Sequence, residues 1–267
     1  MDITAEEIIR NYKNFNEDGR LKSPFGIIEE LHTKELITRH LSPEPMDIYD
    51  VGAGTGVSSS WLAGLGHQVH FSDIVPKHVE IFKERFGTSP NVVSINIEDA
   101  RRLSYENGVA DLIILNGPLY HLTERKDRIQ CLKEAWRILK QHGKLLGFTI
   151  SRFAGLNYAM SSGEIFNDDY FKMVTQEINS GVRDNRDLRN KTFSSAYFHH
   201  LEEIEAEFAD AGFVVENSFG VGLAWNLPGL EETSFDEMKK QRLLEVTAIT
   251  EKFPMQCSKI LTIAIKE

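Results

Sequence analysis

Between residues 46 and 150, short β-rich runs alternate with segments whose apolar residues recur at helical spacing. The strand-like runs are "MDIYDV" (46–51), "HQVHFSD" (67–73), "NVVSINI" (91–97), "ADLIILNG" (110–117) and "KLLGFTI" (144–150). In the second, Val69 and Phe71 alternate with polar neighbours. The fourth is almost continuously apolar, the pattern of a central parallel strand covered on both faces. "SSSWLAGL" (58–65), "PKHVEIFKERFG" (76–87) and "RKDRIQCLKEAWRILKQHG" (125–143) read as helices. Pro76 suits a first helical turn, and Gly87 and Gly143 suit the ends of helices. Ile129, Leu132, Trp136 and Leu139 share one face of the third. Strands alternating with helices predict an α/β fold, a parallel sheet wound with right-handed crossovers. Ligands of such sheets bind at the carboxyl ends of the strands. That singles out residues 50–56, Asp73, Asp99 and residues 116–121.

Outside this core the pattern is looser. Two helices precede it, in "ITAEEIIRNYKNF" (3–15) and "PFGIIEELHTKELITRHL" (24–41). Beyond it, 166–181 and 200–213 read as helices, 213–219 as a strand, 220–257 as mixed structure and 258–266 as a last strand. Residues 151–200 fall where a substrate cap would be inserted.

Composition narrows the partners. With 41% hydrophobic and 26% charged residues the chain reads as a soluble globular protein. Its net charge of −10 argues against a nucleic-acid surface, which needs clustered Lys and Arg. The first residues lack the basic and apolar blocks of a signal peptide, and no apolar run approaches the roughly 20 residues of a membrane helix. Cys131 and Cys257 have neither metal-site spacing nor disulfide density. His67, His70 and His78 have no carboxylate or thiol at ligand spacing, and the adjacent His199 and His200 cannot easily face one site. The expectation is a reduced cytoplasmic protein with no nucleic-acid or membrane partner and no catalytic metal.

The chemistry centres on "DVGAGTG" (50–56). Glycines there permit positive φ and close backbone approach, and the helix that follows offers its N-terminus to a ligand. A tight turn without a ligand would use the same residues. A dinucleotide fingerprint would need glycine at 52, 54 and 57, but position 57 is Val57 and the third glycine is Gly56. Asp73, ending the second strand, can accept from ribose hydroxyls.

The G-x-G-x-G spacing with Asp50 upstream resembles motif I of class I S-adenosylmethionine-dependent methyltransferases. "IEDARRL" (97–103), "ADLIILNGPLYHL" (110–122) and "LKEAWRILKQHGKLLGFT" (132–149) resemble later elements of that family in the same order. The likeness spans 46–150 and narrows to a bacterial group with a G-P-L-Y-H-L exit from the fourth strand. It implies a Rossmann-like seven-stranded sheet of order 3-2-1-4-5-7-6 with the last strand antiparallel, helices on both faces and a helical cap. It also implies a lid over 1–45, an S-adenosylmethionine-binding core over 46–150, a cap insertion over 151–200 and the rest of the sheet over 201–267. Carried onto this chain, the cofactor would meet Gly52, Ala53, Gly54 and Gly56. Asp50 would lie near its amino group, Asp73 and Ile74 at the ribose, Asp99 and the Ala100 N–H at the adenine, and Asn116 at the strand exit. Asp99 could instead cap a helix, and Asn116 departs from the apolar residue or glycine usual in the group.

Methyl transfer is an in-line displacement, so the protein supplies mainly proximity and orientation, and a base only if the acceptor must lose a proton. His121 is the candidate base, Tyr120 a second candidate or cavity wall, and His199 a residue that could face the pocket. Each could equally be structural. The [N/D]-P-P-[Y/F] signature of amino methylation is broken at 116–119. Tyr12, Phe15 and Arg20 lie where such enzymes fold a segment over the cofactor. Phe153, Tyr158, Phe166, Tyr170, Phe171 and Tyr197 would line a partly apolar cavity or pack the cap onto the sheet. The resulting expectation is a monomeric or homodimeric methyltransferase for an O, N or C atom of a small molecule. The alternatives are an NAD(P)-dependent oxidoreductase, disfavoured by Val57 and the lack of a Tyr-x-x-x-Lys pair, and a non-catalytic S-adenosylmethionine-binding protein.

Overall fold

Strand β4 (Ala110–Leu115) divides its side chains between two cores. Ile113 and Leu115 pack on one face of the sheet with Leu132 and Phe208; Leu112 and Ile114 pack on the other with Leu36, Ile37 and Leu62. That two-sided cover is why its sequence is apolar without alternation. The computed structural model describes residues 5–13, 19, 22–184, 195–224, 227, 230 and 235–267. Helices α1 (Ala5–Lys13) and α2 (Pro24–Thr38) precede β1 (Asp47–Val51), α3 (Val57–Gly64), β2 (Gln68–Asp73), α4 (Pro76–Phe86), β3 (Val92–Ile97) and β4. There follow α5 (Pro118–His121), α6 (Arg125–Ile138), β5 (Leu139–Ser151), α7 (Ala154–Ser162), α8 (Asp168–Ser180), β6 (Val182–Asp184) and β7 (Ser195–His199). Finally come α9 (Leu201–Asp210), β8 (Val214–Val221), α10 (Glu237–Thr250) and β9 (Lys259–Ile265).

Strands β3-β2-β1-β4-β5 are parallel neighbours in that order. β9 adds antiparallel to β5, and β8 antiparallel to β9. The body of the sheet is therefore the α/β order implied by the family resemblance, with the last strand in sequence reversed. Two details differ. Among the described residues the sheet has nine strands, because residues 182–184 and 195–199 pair antiparallel within the region expected to be a helical cap. β4 leaves β5 at Gly147, and β7 takes the open edge at Ile150 and Ser151, satisfying backbone groups that would otherwise lack partners.

The helix expected over 125–143 ends at Ile138, and β5 begins at Leu139 opposite Ala110. Gly143 does not cap a helix. A Cβ there would stand 2.9 Å from the Lys140 carbonyl oxygen and 3.1 Å from that of Ala110, so glycine permits close passage of three backbone segments.

The cap joins the body through charge as well as apolar contact. Ala159, Tyr170, Met173 and Val174 form its own small core. Arg128 donates to Glu207 Oε1 at 2.6 Å and stacks 3.6 Å from the centroid of Tyr197, while Arg152 reaches Glu203 Oε2 at 2.6 Å. On the opposite flank Arg39 bridges Glu35 and Glu251, and His32 joins Glu251 at 3.2 Å, fixing α2 against α10. Among the described residues no helix is long and apolar enough to cross a membrane.

Candidate active site

A cleft of about 1140 Å3, its open mouth included, lies across the carboxyl ends of β1, β2, β3 and β4. Its first wall is the turn after β1. The N–H groups of Gly52 and Ala53 both donate to the Ser72 carbonyl, and Gly52, Gly54 and Gly56 have φ of 73°, 59° and 82°. The three glycines serve different ends. A side chain at Gly52 would strike Pro118, and one at Gly56 would enter the Phe82 ring; at Gly54 no protein atom lies within 4 Å of the added carbon. Gly54 lines the cleft, while Gly56 allows helix-to-helix packing and is not part of the lining.

Asp73 ties this turn to β2. Its Oδ2 accepts from the Gly54 N–H and its Oδ1 from the Val75 N–H, each at 2.8 Å, and His78 Nδ1 stands 3.2 Å from Oδ1. Ile74 lines the cleft beside it. Asp50 lies behind the turn, 1% exposed, accepting from Ser59 Oγ at 2.6 Å; it does not reach the lining. Burial pushes its carboxyl up to about 6, against the Ser59 hydrogen bond.

After β3, Glu98, Asp99 and Ala100 form the next wall. Burial raises the Asp99 pKa, but hydrogen bonds from the Arg101 side chain and N–H outweigh it and hold the carboxyl below its usual range. The β4 exit supplies Asn116, Gly117, Pro118, Tyr120 and His121. Buried Asn116 Oδ1 and Thr55 Oγ1 have no hydrogen-bond partner among the described residues, and both residues line the cleft. Buried polar atoms left so are costly, and at a cleft wall they mark places for a ligand's polar atoms.

His121 meets α1 here. Tyr12 Oη lies 2.8 Å from His121 Nε2, and its ring stands edge-on to His78 with centroids 5.1 Å apart. Burial pulls the His121 imidazole down to about 4; Asp73 opposes this and the Lys259 ammonium adds to it. The ring is therefore neutral at cellular pH, and Tyr12 can donate its hydroxyl proton to Nε2.

The structure brings Gly52, Ala53, Gly54, Asp73, Ile74, Asp99, Ala100, Asn116, Tyr120 and His121 around this cleft. It sets His199 apart from it. That residue ends β7, 1% exposed, with Nε2 3.6 Å from Glu207 Oε2. The cap aromatics do not line the cleft either: Tyr170 is in the cap core, Phe166 is 89% exposed, and Tyr197 packs on Arg128. Phe15 and Arg20 lie outside the described residues. Unforeseen lining residues include Glu29, Glu30, Thr33 and Lys34 from α2, His78, and Lys259 from β9. Only the tertiary fold brings α2 and β9 here, so no local pattern could have announced them.

Residues 49–147 match the family model described as "Methyltransferase domain". It is 29% identical over 138 residues to the ubiquinone/menaquinone biosynthesis C-methyltransferase of Zymomonas mobilis, covering 49% of this chain and 56% of that protein. A similar C-methyltransferase of Laribacter hongkongensis shares 28% over 110 residues, covering 40% of this chain and 44% of that protein. The matches thus span about half the length of these curated relatives. Among solved structures, magnesium protoporphyrin IX methyltransferase from Synechocystis with bound S-adenosylhomocysteine superposes with a TM-score of 0.58 at 14% identity, covering 98% and 94% of the two chains. A methyltransferase from Methanosarcina mazei superposes with a TM-score of 0.59 at 18% identity, covering 86% and 96%. The fold is that of S-adenosylmethionine-dependent methyltransferases, whose cofactor is S-adenosylmethionine.

Proposed function

We propose that the protein transfers the methyl group of S-adenosylmethionine to an O, N or C atom of a small molecule held in this cleft. One observation carries the reading: the glycine turn, Asp73, the Asp99–Ala100 segment, Thr55 and Asn116 line one cavity at the carboxyl ends of the strands. Those residues fit the cofactor's parts. Asp73 would accept from the ribose, Asp99 and the Ala100 N–H would meet the adenine, and the turn at Gly52 to Gly54 would approach the methionine portion. Asp50 would act from behind, through the turn. The bound cofactor supplies an electrophilic methyl carbon, and the chain supplies position and a partly dried cavity. Residues 1–45 would cover the cofactor, 46–150 hold it, 201–267 complete the sheet, and 151–200 border the acceptor's approach. The relatives named as C-methyltransferases make carbon acceptors the first class to assay. Incubation with methyl-labelled S-adenosylmethionine and fractionated metabolites should label a small-molecule fraction; binding without any transfer would favour a non-catalytic protein.

Gly54→Val should weaken S-adenosylhomocysteine binding at least tenfold, about 1.4 kcal/mol, because the new side chain projects into the cleft without meeting protein. Unchanged affinity in calorimetry, with the fold intact, would contradict this.

His121 and Tyr120 stand at the β4 exit, toward which the methyl group would point. A neutral His121 can take a proton, but burial makes it a weak base suited to an acidic acceptor. Its imidazole resonances should keep their neutral positions on acidification until the pH nears 4 to 5. A midpoint near 6.5 in a proton NMR titration would show instead that the ring is solvated.

A further inference from the structure

Lys259 is a cation of the cleft wall that the cofactor reading does not use. As first residue of β9, opposite Ile150 of β5, it stands at the same end of the sheet as the β4 exit. Its Nζ lies 5.7 Å from the Tyr120 ring centroid and 3.0 Å from Glu29 Oε1, with the pair's side chains 14% and 20% exposed. A second lysine pair on the wall, Glu30 with Lys34, sits toward α3, where Lys34 overlies Trp61. Lys259 thus places a cation beside Tyr120 and His121, where the acceptor would sit. The Lys259 charge lowers the His121 pKa from this position. An ammonium held in a cleft wall is costly unless paired, and Glu29 from α2 fixes its position.

We propose that Lys259 binds the methyl acceptor by an anionic oxygen, so that the substrate class is an acidic hydroxyl compound, a phenol, enol or carboxylic acid, rather than an amine. This rests on the methyltransferase reading above. The ammonium lowers the pKa of the acceptor hydroxyl, whose proton leaves to water, and Asp73 and Glu29 are the anions that oppose it nearby. The oxygen's lone pair then forms the bond to the methyl carbon, and the carbon–sulfur bond breaks with both electrons passing to sulfur. The acceptor's negative charge and the sulfonium's positive charge disappear together. Where a conjugated carbon attacks instead, the proton on that carbon leaves to water afterwards. A positive group beside the acceptor would disfavour a protonated amine by direct repulsion.

The test uses 4-nitrophenol, whose phenolate is coloured, titrated by absorbance on the protein saturated with S-adenosylhomocysteine. Its apparent pKa should fall by about one unit on the wild type and on Lys259→Arg, and stay at the free value with Lys259→Met. Glu29→Gln, which removes one anionic neighbour of Lys259, should deepen the shift, and this keeps the test decisive if Lys259→Met fails to fold. An equal shift in Lys259→Met, no saturable spectral change on the wild type, or a shift lost in Glu29→Gln would overturn the assignment. Calorimetry with S-adenosylhomocysteine on the same samples separates the two claims. Cofactor binding without the phenolate shift removes Lys259 alone, whereas no cofactor binding removes the methyltransferase reading.

Discussion

Glu207→Gln should destabilise the fold by about 3–5 kcal/mol, because it strips the charge partner from a buried cation. Arg128 is 1% exposed and Glu207 3% exposed. Arg128 donates through Nε and Nη2 to the Glu207 carboxylate and through Nη1 to the carbonyls of Leu122 and Thr123. With glutamine at 207 the guanidinium stays charged and buried and keeps only neutral partners. His199 loses its anion as well. The network also sets a pH dependence. Burial lowers the His199 pKa despite Glu207, and the Glu207 carboxyl, raised by burial, is brought below its ordinary value by His199 and Arg128. Both groups bind protons more readily unfolded than folded, so stability is full above their ordinary values and is lost on acidification. The loss begins as the pH falls through about 6.5 for His199 and continues below about 4.5 for Glu207. Urea unfolding of both proteins at pH 7 and pH 5 reads the substitution and the His199 part of the pH dependence. A Glu207→Gln loss under 1 kcal/mol would mean that water reaches Arg128.

Asp73→Ala should lower affinity for S-adenosylhomocysteine by roughly a hundredfold, about 2.7 kcal/mol, the largest effect expected of any cleft residue. The carboxylate holds the Gly54 and Val75 N–H groups and faces His78, so its removal loosens the turn and deletes the acceptor proposed for the ribose. Asp73→Asn keeps one oxygen as acceptor and should fall between the two in calorimetry. If alanine and asparagine bind as the wild type does, the ligand does not touch Asp73.

Much of this architecture is legible in the chain because it rests on local pattern. Strands β1 to β4 each carry an apolar run ended by glycine or an acid, and the glycine turn announces itself by spacing. The boundary at Ile138 was not readable, since Leu139 to His142 continue a plausible helical face and only pairing with β4 and β9 makes them strand. The β6–β7 pair is hidden for a similar reason: its strands are short and flanked by polar residues, and its place depends on the edge of β5. His199 looked like a pocket residue because sequence shows its polarity but not Glu207, which reaches it from α9. Tyr12 against His121, and Glu29 with Lys259, join residues more than 100 positions apart, so these two pairings could be read only from the fold.

The central claim is that this cleft holds S-adenosylmethionine, and the most direct measurement is calorimetric titration of the intact chain with S-adenosylhomocysteine, with NAD as comparator. The account predicts saturable binding at one site for S-adenosylhomocysteine, weakened in Gly54→Val and Asp73→Ala, and no binding of NAD. Binding of NAD in place of S-adenosylhomocysteine, or affinity indifferent to both substitutions, would contradict it.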